Sequence, residues 1–297
     1  MRFISDKAWA RGLAKINLHL DVTGREENGY HTVETVMQSI SLCDDIAVTL
    51  TNGGFSAECN IEGVPTDSKN IAVRAAALFM SEIGSEMGAS VKIVKRIPMA
   101  AGMAGGSADA AATLTALNSM LESPLDEERL CQIGARLGAD VPFCIRGGTA
   151  YADGRGDILH PFPEMPDCAI VAACGGEGVS TPWGYGLLDE LHDGFGKDSA
   201  YLPRKTDKLR AAVESGSIAD ICGSMYNIFE APVLERRPVA KEIKQILLDG
   251  GAVGAMMSGS GPSVFGIFES ETEAEKAAIA IRDKQYFACV CRPASRS

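Results

Sequence analysis

The chain has 297 residues, 46% of them apolar and 23% charged, with a formal net charge of −11. That balance supports a sizeable folded core and excludes an intrinsically disordered chain. The acidic surface disfavours nucleic acid and anionic membranes as partners. No apolar run approaches the ~20 residues of a membrane helix, and the opening MRFISDKAW lacks an apolar signal segment, so a cytoplasmic protein is expected. Nine cysteines are scattered without CxxC spacing, which reads as free buried thiols in a reducing compartment.

In chain order, residues 14–22 (AKINLHLDV) alternate strictly. Ile16, Leu18, Leu20 and Val22 face one way and Lys15, Asn17, His19 and Asp21 the other, which predicts a strand with one buried face. Asn28-Gly29 marks a turn before Tyr30 and His31. Strands are expected over 45–51 and 90–97, and a helix over 70–83. Residues 98–106 (PMAAGMAGG) form a small-residue loop, and from Ser107 apolar residues recur at helical spacing through Leu121. A helix over 126–137 stops at Gly138, followed by ADVPFCI as a short extended segment.

After about residue 160 the pattern changes. A strand at 168–174 leads into an irregular stretch rich in Gly, Asp and Pro. Helices are expected near 205–214 and 238–248, strands at 252–258 and 264–268 joined by SGSGPS, then a helix at 272–283 and a strand at 287–291. The tail reads as a split βαβ, ferredoxin-like module. The change divides the chain into residues 1–160 and 161–297.

Several stretches carry chemistry. The Gly-rich loop runs from a strand into a helix start, where free N–H groups and the helix dipole suit phosphate; a tight packing turn is the alternative. It is neither a P-loop nor a dinucleotide fingerprint. Lys15 and Asn17 stand ~7 Å apart on one strand face, where the lysine suits a phosphate or a carboxylate, or simply solvent. Asp140, past a helix stop, suits a general base or a turn that bonds local N–H groups. SGSGPS either turns the chain or closes the wall of a site.

Taken in order, AKINLHLDV, GYH, PMAAGMAGGSADAA, LGADVPF and GSGPS resemble the GHMP small-molecule kinases. The pattern AKxNLxLxVxxRxxxGYHxxxT over residues 14–35, with MQSISLCDDI, NIFE at 227–230 and MSGSGPSVFGIF at 257–268, is similar to the branch whose substrate carries a cytidine diphosphate group. The resemblance covers most of the chain and is weakest over 175–225. It implies an α+β, two-domain fold, with an N-terminal domain like ribosomal protein S5 domain 2 and a ferredoxin-like C-terminal domain. It implies ATP and Mg²⁺, and phosphorylation of the 2-hydroxyl of a cytidine diphosphate-linked methylerythritol in non-mevalonate isoprenoid synthesis.

Residue by residue, the resemblance makes Lys15 and Asp140 the catalytic positions. Pro98, Met99, Ala100, Ala101, Gly102, Met103, Ala104, Gly105, Gly106, Ser107 and Ala108 become the ATP-phosphate loop. Asn17, Tyr30, His31 and Tyr185 fall near the methylerythritol and cytosine. The family loop runs closer to PxGxGLGGGSS. Here Ala100 and Ala104 replace Gly, Met103 replaces Leu and Ala108 replaces the second Ser. A GHMP kinase for another alcohol, and a nucleotide-binding member without catalysis, are the alternatives.

Overall fold

The alternation over residues 14–22 belongs to a longer strand, β1 (Lys7–Arg25), in the computed structural model, which describes residues 5–192, 195 and 199–296. All of residues 14–22 are buried. The expectation of one buried face is therefore corrected: the face bearing Lys15, Asn17, His19 and Asp21 is also covered. The turn at Asn28-Gly29 forms as expected, with Gly29 at φ +89° and Glu26 N–H donating to Tyr30 O at 2.7 Å. It leads into β2 (His31–Thr51).

Two compact units are built on these strands. The first holds the described residues of Met1–Ala14, Leu42–Ile97 and Ala104–Gly147; the second holds those of Lys15–Ser41, Pro98–Met103 and Gly148–Ser297. Each long strand contributes one part to each unit.

In the first unit, β3 (Phe55–Cys59) pairs parallel with β4 (Gly88–Val94). β4 pairs antiparallel with β2 over residues 45–51, and β1 follows. Helices α1 (Ile71–Glu82), α2 (Gly105–Ser119), α3 (Glu127–Ala135) and α4 (Val141–Arg146) complete it. Asn70 caps α1 by accepting from Ala72 N–H, and Asp126 caps α3 by accepting from Arg129 N–H. Phe79, Met80, Val91, Leu114 and Leu117 form its core with Val141. The segment expected to be extended, ADVPFCI, is instead α4. Pro142 lies in its first turn, where proline suits a helix, and Val141 and Phe143 are buried.

In the second unit, β5 (Thr149–Asp153) pairs antiparallel with β2 and with β6 (Ile158–Pro161). A four-stranded antiparallel sheet runs in the order β11 (Phe287–Cys291), β7 (Ala169–Cys174), β10 (Val264–Phe268), β9 (Gly254–Met257). That order, with helices between the strands, is the ferredoxin-like arrangement. Helices α9 (Pro238–Asp249) and α10 (Glu271–Arg282) supply Ile243, Leu247, Ala278 and Ile281 to its core. β8 (Tyr226–Asn227) lies parallel to β1 at His19 and Leu20, and α6 (Asp207–Ser215), α7 (Ile218–Ser224) and α8 (Glu230–Arg236) flank it in sequence.

The stretch read as irregular holds α5 (Thr181–Leu191), capped by Ser180 accepting from Trp183 N–H. Proline and two glycines within α5 mask its periodicity, yet Leu187 and Leu188 pack with Leu20, Val22 and Phe229. The expectation of buried thiols is corrected in part: Cys131, Cys168 and Cys291 are buried, and the other six cysteines are partly exposed.

Candidate active site

Lys15 lies 5% exposed, so the solvent-facing reading of this lysine is excluded. Its Nζ donates to Asn17 Oδ1 at 2.6 Å. Asn17 Nδ2 donates to Thr35 Oγ1 at 2.8 Å, and Thr35 Oγ1 donates to the His19 carbonyl at 2.7 Å. β-strand period 2 puts Lys15 and Asn17 on one face; β2 brings Thr35 across to lock the amide. The amide thus cannot turn without breaking two bonds, and its oxygen stays toward the ammonium.

The Gly-rich loop is held from one side. The carbonyls of Ala101, Gly102 and Met103 accept in turn from Ser263 N–H (3.1 Å), Ser258 Oγ (3.0 Å) and Lys15 N–H (3.2 Å). In a trans peptide the N–H points away from its carbonyl, so the N–H groups of Gly102, Met103 and Ala104 face away from those partners. Successive N–H groups displayed this way form an anion-binding concavity. SGSGPS therefore does more than turn: it grips the loop. A Cβ on Gly102 would stand 2.2 Å from Ser258 O, so this position requires glycine.

The two alanines at family glycine positions both adopt left-handed backbone, Ala100 at φ 49° and Ala104 at φ 57°. Such a conformation costs roughly 1–2 kcal/mol for an L-residue. The bonds on either side of residues 101–103 hold it in place, as strained backbone at functional loops generally requires. Met103 is 1% exposed and does the buried apolar work of the leucine it replaces.

Ala104 caps α2 without a side-chain bond, and the first helical bond runs from Ala108 N–H to Ala104 O. The N–H groups of Gly105, Gly106 and Ser107 thus precede the helix ladder and stand at its positive end. Asp140 is the half-buried N-cap residue of α4. Its side chain makes no capping bond to that helix. A Cβ on Gly138 would lie 3.8 Å from Ser107 Oγ, so the turn leading to Asp140 packs at the start of α2.

His31 and Tyr185 are brought together, their rings stacked at 4.5 Å and 15°. His31 Nε2 lies 2.7 Å from Asp189 Oδ1. Tyr30 stands apart, 60% exposed, with the Arg155 guanidinium 4.3 Å above its ring.

Sequence reading held Ser258 only as part of SGSGPS and Thr35 only as part of the pattern over 14–35, and it missed Asp189. It also missed a buried cluster in the first unit, where Lys95 Nζ bonds Asp44 Oδ2 (2.5 Å) and Asp109 Oδ2 (2.8 Å). Asp44 Oδ1 accepts from the N–H groups of Arg96 and Ile97, fixing the chain just before Pro98. For Asp189 a signal existed: it stands four residues after Tyr185 on a helix, and so on the same face.

No group of three or more His, Cys, Asp or Glu side chains able to hold a metal occurs among the described residues. Nor is any helix among them long and apolar enough to cross a membrane. A triphosphate and its ion suit the site that is present. Displayed N–H groups and a helix start are groups of the kind that bind phosphate, Ser107 offers a hydroxyl, and Mg²⁺ bound to nucleotide needs few protein ligands.

A ferredoxin-like sheet, a Gly-rich loop held by SGSGPS and a buried Lys–Asn pair define a small-molecule kinase of the GHMP class. Accordingly, residues 70–148 match the GHMP kinases N terminal domain and residues 209–286 the GHMP kinases C terminal domain. The chain is 42% identical over 261 residues to a 4-diphosphocytidyl-2-C-methyl-D-erythritol kinase of Acetivibrio thermocellus, spanning 88% of this chain and 90% of the relative. The kinase of the same name from Geobacter sulfurreducens is 41% identical, spanning 94% and 96%. A crystal structure of 4-(cytidine 5'-diphospho)-2C-methyl-D-erythritol kinase superposes with a TM-score of 0.78 at 32% identity, covering 97% of this chain and 100% of that one. The chain belongs to the 4-diphosphocytidyl-2-C-methyl-D-erythritol kinase family, and with it to the ATP-using phosphotransferases.

Proposed function

We propose that the chain transfers the γ-phosphoryl group of ATP to the 2-hydroxyl of 4-diphosphocytidyl-2-C-methyl-D-erythritol, in the cytoplasm, as a step of non-mevalonate isoprenoid synthesis. One observation carries the reading. A chain 42% identical to a kinase of that name stacks His31 on Tyr185, an imidazole and an aromatic face of the kind that holds a pyrimidine. On this reading residues 1–160 and 161–297 are the two functional halves, and the two matched family regions fall one on each side of that boundary.

Asp140 takes the proton of the 2-hydroxyl as its oxygen bonds to the γ-phosphorus; the bond to the β–γ bridging oxygen breaks and ADP leaves. A carboxylate is a weak base for an alcohol, so proton transfer comes late, as the oxygen loses electron density to phosphorus. Lys15, its ammonium fixed by Asn17, offsets negative charge on the transferring oxygens. Mg²⁺ neutralises phosphate charge when bound, with Ser107 the residue of the loop able to touch it. The loop from Pro98 to Ala108 receives the phosphates through N–H groups. Tyr30, His31 and Tyr185 recognise the cytosine.

The strained alanines at 100 and 104 favour one second reading, a nucleotide-binding protein without catalysis. Phosphorus NMR on the protein with Mg-ATP and 4-diphosphocytidyl-2-C-methyl-D-erythritol separates the two. A phosphomonoester resonance growing with ADP is expected. ATP binding with no transfer to this alcohol would overturn the proposal and leave the second reading.

A further inference from the structure

Tyr185 and Asp189 stand four residues apart on α5, hence on one helical face, and both engage the same imidazole. Tyr185 covers the flat face of His31. Asp189 takes its edge, with Oδ1 2.7 Å from Nε2. Phe195 meets the ring edge-on, at 5.7 Å and 89°. The His31 side chain is 7% exposed, and the other Asp189 oxygen has a cationic partner, Arg25 Nη1 at 3.5 Å.

We propose that Asp189 is a positioning residue that makes His31 a hydrogen-bond acceptor, and so selects a 4-aminopyrimidine over a 4-oxopyrimidine at this site. The step rests on the cytidine substrate proposed above. An ionised carboxylate only accepts hydrogen bonds, so Nε2 must carry the proton of its bond to Asp189. In the neutral ring Nδ1 is then a lone-pair acceptor. Cytosine presents an amino donor at position 4, whereas uracil presents a carbonyl oxygen there. An acceptor on Nδ1 pairs with the first and opposes the second. The stack with Tyr185 fixes the ring plane, and the Asp189 bond fixes which edge of the ring is which.

A site that hydrogen-bonds one form discriminates strongly against an analogue that leaves its polar group unmatched. Isothermal titration with CMP and with UMP at pH 8.5 tests this. The unmutated protein should prefer CMP by about 10-fold or more. Asp189→Ala and Asp189→Asn should bring the ratio of the two affinities to within about threefold. A residue that merely held α5 in place would lower both affinities together and leave the ratio. ATP affinity of each variant reports that it is folded, and long-range ¹H–¹⁵N correlation should show His31 protonated on Nε2 in the unmutated protein. Variants that keep the full CMP preference would overturn the inference. Equal binding of CMP and UMP by an unmutated protein that still phosphorylates the cytidine substrate would overturn it and leave the kinase reading intact. An unmutated protein that binds neither nucleotide and turns over no cytidine substrate would overturn both.

Discussion

The Lys15 ammonium and the Asn17 amide oxygen, two residues apart on one strand and both buried, are joined by a 2.6 Å hydrogen bond. A buried ammonium is costly unless bonded, and the role proposed for it on the transferring phosphoryl gives a reason to keep one there. Lys15→Met is expected to lower turnover at least ~10²-fold, and Asp140→Asn by ~10²–10⁴-fold. Asp140→Asn should still give a single cooperative thermal melt, because α4 does not depend on a capping bond from this side chain. An ADP-coupled assay beside thermal melts reads both. Turnover within a factor of a few of the unmutated protein would remove either residue from the chemistry.

Strain in the Gly-rich loop can be measured directly. Ala100→Gly and Ala104→Gly each relieve a left-handed alanine. Relief of roughly 1–2 kcal/mol, less the unfolded-state freedom that glycine adds, leaves a gain of about 0.5–1 kcal/mol per site. Ala101→Gly is the control, since Ala101 is buried and is not among the residues of positive φ; it should destabilise. Urea unfolding at 25 °C measures all three. No gain at either strained site would mean that the alanine backbone is relaxed there.

How far the sequence spoke for itself varies with the range of the forces involved. Period-2 alternation placed β1 and the shared face of Lys15 and Asn17, because that periodicity is local. It could not show that this face is covered, since Thr35 and Ser258 arrive from elsewhere in the chain. ADVPFCI read as extended chain, yet at the start of a helix the missing N–H of Pro142 costs nothing, and the segment forms α4. Trp183, Pro182 and two glycines hid α5, so Asp189 was missed with it. The loop was legible as a tight small-residue turn running into a helix start, from its small residues. Its left-handed alanines were not, because residues bonded to the loop impose that backbone.

His19 gives the fold a dependence on acid. It is 1% exposed, and its Nε2 has no hydrogen-bond partner among the described residues. Burial pulls its pKa down to about 4. The folded protein keeps the ring neutral, whereas the unfolded chain takes up a proton near pH 6.5. This contribution is therefore present above about pH 6.5, falls as pH drops toward 4 and levels off below. It should amount to something on the order of 3 kcal/mol. Urea midpoints at pH 7 and pH 4.5, for the unmutated protein and His19→Leu, isolate it: the variant should lose less on acidification. Equal losses would show that His19 is protonated in the folded state.

The Asp44–Lys95–Asp109 cluster acts in the opposite direction. Two carboxylates share one ammonium in a buried setting. Burial opposes the charge on Lys95, but the two carboxylates outweigh it and hold its pKa above the usual lysine value. Burial, with Asp44 close by, raises the Asp109 carboxyl to about 7 against the pull of Lys95, and Asp109 Oδ1 has no hydrogen-bond partner among the described residues. Between about pH 4 and pH 7 the folded state holds a proton on this cluster that the unfolded chain has released. Stability from Asp109 therefore declines as pH rises through that window, and Asp109→Asn should flatten the decline. Lys95→Met leaves two buried carboxylates facing each other and should cost about 3–5 kcal/mol. Because Asp44 also holds the N–H groups of Arg96 and Ile97, that loss should spread to the phosphate loop and raise the KM for ATP. Unfolding curves at pH 5 and pH 7 with matched ATP kinetics test both halves. A Lys95→Met protein as stable as the unmutated one would mean that the carboxylates are neutral without it.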